Sequence, residues 1–174
     1  MYINKQMFRS IETSARGLMA EQRFVDMAKQ RNIFQRLATP NEDRADHIDV
    51  WVEPPIGAVD VKSRKKIGRA DPDVNDEWVW TEIKGVNKTP GWLFGGKADH
   101  IAFEEQNGFL LVPRKELLRY VEATVIPICD SKFPTDSPYD AMLRYYSRWG
   151  RNDQLVLLQR SKIRGLKDVL MWTS

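Results

Sequence analysis

Two acidic residues and a lysine lie in neighbouring extended segments of this chain. Residues 47–52 and 58–63 each alternate apolar and polar side chains with period two, as half-buried strands do. Asp49 belongs to the first segment, and Asp60 and Lys62 share one face of the second. Carboxylates that crowd together repel each other unless a cation joins them, and hard divalent ions prefer oxygen ligands. The pattern therefore indicates a divalent-metal site suited to phosphodiester chemistry.

Each of these residues has a role in such chemistry. Mg²⁺, with Mn²⁺ as a substitute, can activate a water, neutralise charge at phosphorus and assist the leaving oxygen. Asp49 and Asp60 are the predicted metal ligands, together with the carbonyl of Val61. Lys62 would lie near the attacking water or the pentavalent phosphate, where its positive charge stabilises developing anionic charge.

A tight turn has to bring the two segments together. Pro54, Pro55 and Gly57 supply residues typical of turns. Folding the hairpin about residues 55–56 predicts that Asp49 lies opposite Val61 and Lys62.

A third acid precedes the hairpin on a predicted helix over residues 13–31. Glu21 falls on the apolar stripe of this helix, so its carboxylate needs a partner. Either it pairs with a neighbouring arginine at the edge of the stripe, or it reaches the metal site and orients it. The stripe consists of Leu18, Phe24, Val25 and Ala28.

The acid-x-lysine spacing occurs again in Glu82-Ile83-Lys84, on a predicted third strand over residues 78–85. If this strand pairs with the second strand, Glu82 falls close to Asp60 and becomes an accessory metal ligand, which is the preferred interpretation. The second is an exposed ladder of ion pairs between strands. In the third, Glu82 and Lys84 are the catalytic pair and Asp60 is the lone acid.

Basic residues are distributed unevenly, although the net charge of +3 and the pI of about 9.0 are mild. Residues 144–167 contain seven basic side chains and one acid, Asp153. A basic surface beside a cation centre suits a polyanion. Trp149 lies between two arginines, an arrangement that suits stacking on nucleic acid, although such a tryptophan more often fills a core. The predicted nucleic-acid-binding residues are Arg64, Lys65, Lys66, Lys84, Arg148 and Arg151.

Composition restricts the class of protein. The length of 174 residues and the 42% hydrophobic content predict one domain over residues 1–174, with a core at about 13–123 and a basic extension at about 124–174. The single cysteine, Cys129, cannot form an internal disulfide, which favours the cytoplasm. His47 and His100 are too few for a structural zinc site. No apolar run is long enough to span a bilayer, and the start of the chain lacks a secretion signal, so no membrane partner is expected.

The remaining patterns predict an α/β fold with a mixed central sheet flanked by helices. Further strands are expected at residues 34–38, 100–104, 109–113 and 155–158. Helices are expected at 115–123 and 139–149, separated by a connection at 127–138, and a short final element at 166–172.

The order of acids along the chain resembles the PD-(D/E)XK nuclease superfamily. Its core is a helix with an acid, a strand with an aspartate and a strand with acid-x-lysine, which here match Glu21, Asp49 and Asp60-Val61-Lys62. The resemblance covers residues 13–123, and the proline of the family's name is absent beside Asp49. It implies a restriction-endonuclease-like fold and a Mg²⁺-dependent nuclease acting on DNA, either an endonuclease or a structure-specific junction or repair nuclease. The implied catalytic residues are Glu21, Asp49, Asp60 and Lys62.

Three further segments, 80–87, 91–103 and 146–153, resemble phage-encoded members of this superfamily, which implies the host cytoplasm. Two copies are a common way to cut two strands, so a homodimer is an expectation, for which the sequence shows no seam. Two other classes compete with a nuclease. One is a nucleic-acid-binding module of the same fold that no longer cuts, and the other is an inhibitor that binds an acidic protein.

Overall fold

The structure is a computed structural model that describes residues 5–173, with side chains described from residue 15 onward. Eight strands are present in this range. They are β1 (Phe34–Leu37), β2 (Val50–Val52), β3 (Ala58–Lys62), β4 (Trp78–Lys84), β5 (His100–Glu105), β6 (Gly108–Pro113), β7 (Gln154–Gln159) and β8 (Leu170–Thr173).

Five α-helices accompany these strands in the described range. They are α1 (Lys5–Gln30), α2 (Trp92–Gly95), α3 (Arg114–Tyr120), α4 (Ile126–Asp130) and α5 (Arg160–Arg164). Wide π-helical turns occur at Glu42–Asp46 and at Val121–Val125, where the second one joins α3 to α4. None of the helices in residues 5–173 combines the length and the apolar character needed to cross a bilayer.

The central sheet has six strands in the order β1-β2-β3-β5-β6-β8. Only β3 and β5 pair in parallel, and the other neighbours are antiparallel. The predicted α/β class with a mixed sheet is therefore confirmed. A second sheet contains β4 and β7, so two strands of the carboxy-terminal part of the chain, β7 and β8, pair with strands from its middle.

Alternating side chains of the central sheet separate two apolar clusters, one on each face. Val59 and Val61 of β3 pack with α1, whereas Ala58 faces the cluster formed with α2, α3 and the small sheet. Asp60 and Lys62 alternate with the valines and lie on the side of Ala58. On the α1 face, Phe24 stacks on Trp172 at 5.0 Å between ring centroids, which ties α1 to the last strand.

Helix α1 differs from its prediction at both its start and its stripe. It begins at Lys5 rather than residue 13, and Leu18 is 66% exposed. Leu18 lies six residues before Phe24, which is about 120° around a helix with 3.6 residues per turn. The buried stripe instead consists of Ala20, Phe24, Val25, Met27 and Ala28.

The region between β6 and β7 was predicted incorrectly. Helix continues through residue 130, because Pro127 falls in the first turn of α4, where its missing N–H is tolerated. The predicted helix at 139–149 does not form; a single 3-10 turn at Pro138–Asp140 is followed by turns. Here Tyr146 exchanges backbone hydrogen bonds of 2.9 Å with Leu155, an extended pairing that a helix would prevent.

Candidate active site

The loop before β2 fixes Asp49 against β3. The register pairs Val50 with Val59, so Asp49 lies next to Asp60, one residue earlier on β3 than predicted. Its N–H donates to the carbonyl of Val59 at 2.9 Å, and its Oδ2 accepts the N–H of Val61 at 2.6 Å. One carboxylate oxygen of Asp49 is thus held by the backbone of β3.

The side chains of Asp60 and Lys62 form an ion pair on the same face of β3. Asp60 is 2% exposed, and the Nζ of Lys62 lies 2.5 Å from its Oδ1. The ammonium also lies 5.0 Å from the ring centroid of Trp92, at the start of α2. The other oxygen, Oδ2 of Asp60, is buried and has no hydrogen-bond partner among the described residues. A buried unpartnered oxygen is costly, and an ordered water or a bound ion at this position would offset that cost.

Burial raises the pKa of both aspartates. The pKa of Asp49 rises to about 7, first through burial and then through the negative charge of Asp60. Burial also raises the pKa of Asp60, against the opposing effect of Lys62. One lysine therefore does not compensate two buried carboxylates, which is the electrostatic condition of a site that binds a further cation.

Glu21 belongs to the same electrostatic group. It is half-buried on α1, and its pKa rises to about 7 through burial, with added repulsion from Asp49 and Asp43. Lys62 acts in the opposite direction. Two of the three charges that act on Glu21, those of Asp49 and Lys62, belong to the candidate site, so its surroundings support the interpretation in which Glu21 assists this site.

The predicted pairing of the third strand with the second is wrong, because β4 pairs with β7 in the separate sheet. Residues about 75 positions apart make this pair, and period-two alternation identifies a strand without identifying its partner. Glu82 is half-buried opposite Leu155. Its charge nevertheless acts on His47 and Lys65, which places it at the edge of the site.

Two of the predicted nucleic-acid-binding residues are engaged in ion pairs. Arg64 binds Asp76 through two guanidinium nitrogens, one at 2.5 Å. Arg148 binds Asp153, whose side chain is fully buried. The remaining four are less constrained: the exposed Lys65 and Arg151, and the half-buried Lys66 and Lys84.

Lys65 is the basic residue that links the site to its surroundings. The residue as a whole is exposed, yet burial of its ammonium, followed by the charge of Lys62, lowers its pKa. The charges of Asp60 and Arg148 also act on it, so Lys65 lies between the candidate site and the Arg148 segment.

The donor set of the site fits Mg²⁺. Asp49 and Asp60 supply hard carboxylate oxygens, and the Oδ2 of Asp60 is unpartnered. No three His, Cys, Asp or Glu side chains of the described residues form a complete metal cage. Mg²⁺ ordinarily uses one or two carboxylates and retains several waters or substrate phosphates, so two aspartates with the carbonyl of Val61 would suffice.

Two further residues lie near the site. Trp92 is buried and contacts Lys62. His47 has a left-handed backbone, and burial together with the charge of Lys62 lowers its pKa. About thirty residues separate Lys62 from Trp92, so local spacing held no signal for their contact.

Comparisons of this chain with protein-family models, with curated proteins and with solved structures gave no match. The site is therefore interpreted from its own residues.

Proposed function

We propose that this chain is a metal-dependent deoxyribonuclease of the PD-(D/E)XK type, which hydrolyses DNA phosphodiester bonds. The observation that carries the proposal is the buried Asp60, ion-paired with Lys62, adjacent to Asp49 and left with one unpartnered oxygen. The Oδ2 of Asp60 is thus an oxygen that a ligand could use beside the ion pair with Lys62.

The chain's residues have distinct parts in the reaction. Asp49 and Asp60 would hold Mg²⁺, and the backbone N–H of Val61 fixes the orientation of the Asp49 carboxylate. When bound, the ion would neutralise charge at the phosphate and acidify a water molecule. Lys62 donates a hydrogen bond to the phosphate or to the attacking water, and Trp92 keeps its ammonium in place.

Glu21 and Lys65 support this centre from either side. Glu21 is a positioning residue whose carboxylate acts on the site through its charge. Lys65 offers positive charge beside Lys62, where a neighbouring phosphate of the same strand would lie.

Cleavage of several DNA forms tests the proposal. Supercoiled, linear, single-stranded and four-way-junction DNA would be incubated with the protein in Mg²⁺ or Mn²⁺, with EDTA as the metal-free control. We expect cleavage that EDTA abolishes. In Lys62→Ala it should fall by about 10² to 10³-fold, the effect of removing one charge-stabilising group.

Lys167→Ala is the matched control, because Lys167 is an exposed lysine of the carboxy-terminal region. It should cut at nearly the parent rate. Salt-sensitive DNA binding without cleavage in either metal would instead support the non-cutting module. Absence of both binding and cleavage would favour the protein inhibitor.

A further inference from the structure

Trp149 is the most exposed large apolar side chain among the described residues. It is 98% exposed, whereas the other five tryptophans of the chain are buried or half-buried. Tryptophan is highly buried on average in folded proteins. Its complete exposure here is therefore a feature that needs an explanation.

A well-anchored turn presents this ring. The N–H of Arg151 donates to the carbonyl of Arg148 at 2.9 Å, and Gly150 takes a positive φ of 71°. Such an angle at the third position is typical of a type II turn and suits glycine. Trp149 thus occupies the corner of the turn, where its side chain points away from the protein.

Buried contacts hold the base of the turn. Asp153 is fully buried and binds the Nε of Arg148 at 2.5 Å, while its carbonyl accepts the hydroxyl of Ser147 at 2.8 Å. Tyr146 and Leu155 close the loop through two backbone hydrogen bonds. The exposure of Trp149 therefore does not result from a frayed segment.

The base of this turn lies beside the basic segment that follows β3. The ring of Tyr146 packs on Trp80 at 5.4 Å between ring centroids, and the Nε1 of Trp80 donates to the carbonyl of Lys66 at 2.9 Å. Arg151 is exposed beside Trp149. An exposed aromatic ring flanked by basic residues matches the combination by which proteins hold single strands, with bases stacked on rings and phosphates on cations.

We infer that Trp149 stacks on an unpaired nucleobase of a DNA strand whose phosphates follow Arg151, Lys65 and Lys62. This inference rests on the proposed function and specifies its substrate class, namely DNA with an unstacked base near the scissile phosphate, such as a single strand, a gap or a branch. A base within a continuous duplex is already stacked on both sides and cannot meet the ring.

Binding measured in EDTA tests the inference without cleavage. The probes are a single-stranded oligonucleotide and a gapped duplex, each containing 2-aminopurine, and a relaxed, covalently closed circular duplex. We expect Trp149→Ala to weaken binding to the first two by about tenfold, as loss of one stacked base predicts. Binding to the closed circle should change less than twofold, and Trp149→Phe should retain most of the affinity.

Phe133→Ala is the matched control, because Phe133 is also an exposed aromatic residue, at 90%. Equal losses on all three DNAs, an unchanged affinity in Trp149→Ala, or an equal loss in Phe133→Ala would overturn the stacking role. Adding Mg²⁺ afterwards separates the two proposals. Selective loss of binding in Trp149→Ala, with no cleavage by the parent, supports stacking and contradicts the nuclease.

Discussion

Asp60-Val61-Lys62 on β3 and Glu82-Ile83-Lys84 on β4 have the same acid-x-lysine spacing in different surroundings. Strand β3 is paired on both sides, by β2 and β5, whereas β4 is paired with β7 in a two-stranded sheet. Asp60 is almost fully buried, and Glu82 is only half-buried.

The regularity of the two strands also differs. On β3 the pairing with β5 advances evenly from Val59 to Lys62, so Asp60 and Lys62 share a face and their charged atoms meet. On β4 the register with β7 shifts between Glu82 and Lys84. The spacing of two residues therefore does not place this second pair on one face.

The same acid-x-lysine spacing therefore has different chemistry on the two strands, because the burial and the pairing of each strand determine the surroundings of its acid. Burial raises the pKa of the Asp60 carboxyl and Lys62 opposes that rise, while burial and the charge of Asp60 raise the pKa of Asp49. Changing one member of each pair compares the two strands directly, and changing Asp49 tests the neighbour of Asp60 against the same control on β4.

The largest expected difference is in cleavage. Asp60→Asn keeps the shape of the side chain and removes its charge, so the rate of Mg²⁺-dependent DNA cleavage should fall by at least about 10³-fold. Glu82→Gln should lower it by about tenfold, as expected for a group that acts around the site. Initial rates at saturating DNA would be measured, with circular dichroism as the check on folding.

The reverse order of effects would assign the catalytic pair to β4. Parent-like activity in Asp60→Asn would show that β3 does not carry the active site.

A smaller difference is expected in stability without metal. Lys62→Met leaves Asp60 buried and unpaired, which should reduce the free energy of unfolding by about 3 kcal/mol. Lys84→Met should cost less than about 1 kcal/mol, since no buried acid depends on it among the described residues. Urea unfolding at pH 8 in EDTA measures both.

The double variant Lys62→Met, Asp60→Asn provides the control. It should recover much of the loss, because the stranded charge is removed. A double variant as unstable as Lys62→Met alone would show that Lys62 stabilises the fold by packing.

The sequence was informative where the deciding interactions are local. Alternation identified β2 and β3, strands were also expected where β5 and β6 form, and a turn-forming segment joined the strands that carry Asp49 and Asp60. The site's acids and lysine could be selected from this hairpin alone. Contacts between distant segments gave no such signal, which is why the partner of β4 was predicted wrongly.

The region after α4 shows a second limit. Met142, Leu143 and Tyr146 have helical spacing, yet Ala141 and Tyr145 are the residues that become buried. The conformation of this segment depends on contacts with Leu155 and Asp153, and the helical spacing of its apolar residues gives no sign of them. The expectation that Trp149 fills a core is wrong for the same reason, since it assumed a helix that ends at this residue.

The smallest expected difference is a pH-dependent one at Asp49. Its pKa is about 7 in the folded protein against an ordinary 3.8, so folding favours the protonated form. This contribution to stability is complete below about pH 4 and is lost as the pH rises through 7. Such a shift corresponds to about 4 kcal/mol, which partial exposure reduces to about 2 kcal/mol.

The side chain in Asp49→Asn cannot ionise, so the loss of stability at high pH disappears. In EDTA this variant should raise the free energy of unfolding by about 2 kcal/mol at pH 8 and leave it unchanged at pH 4. Glu82→Gln should change stability little at either pH. Mg²⁺ at pH 8 should then stabilise the parent and Glu82→Gln but not Asp49→Asn, because the ion binds only the ionised carboxylate. Equal stabilisation of all three by Mg²⁺ would place the metal elsewhere on the protein and separate the β3 hairpin from the proposed chemistry.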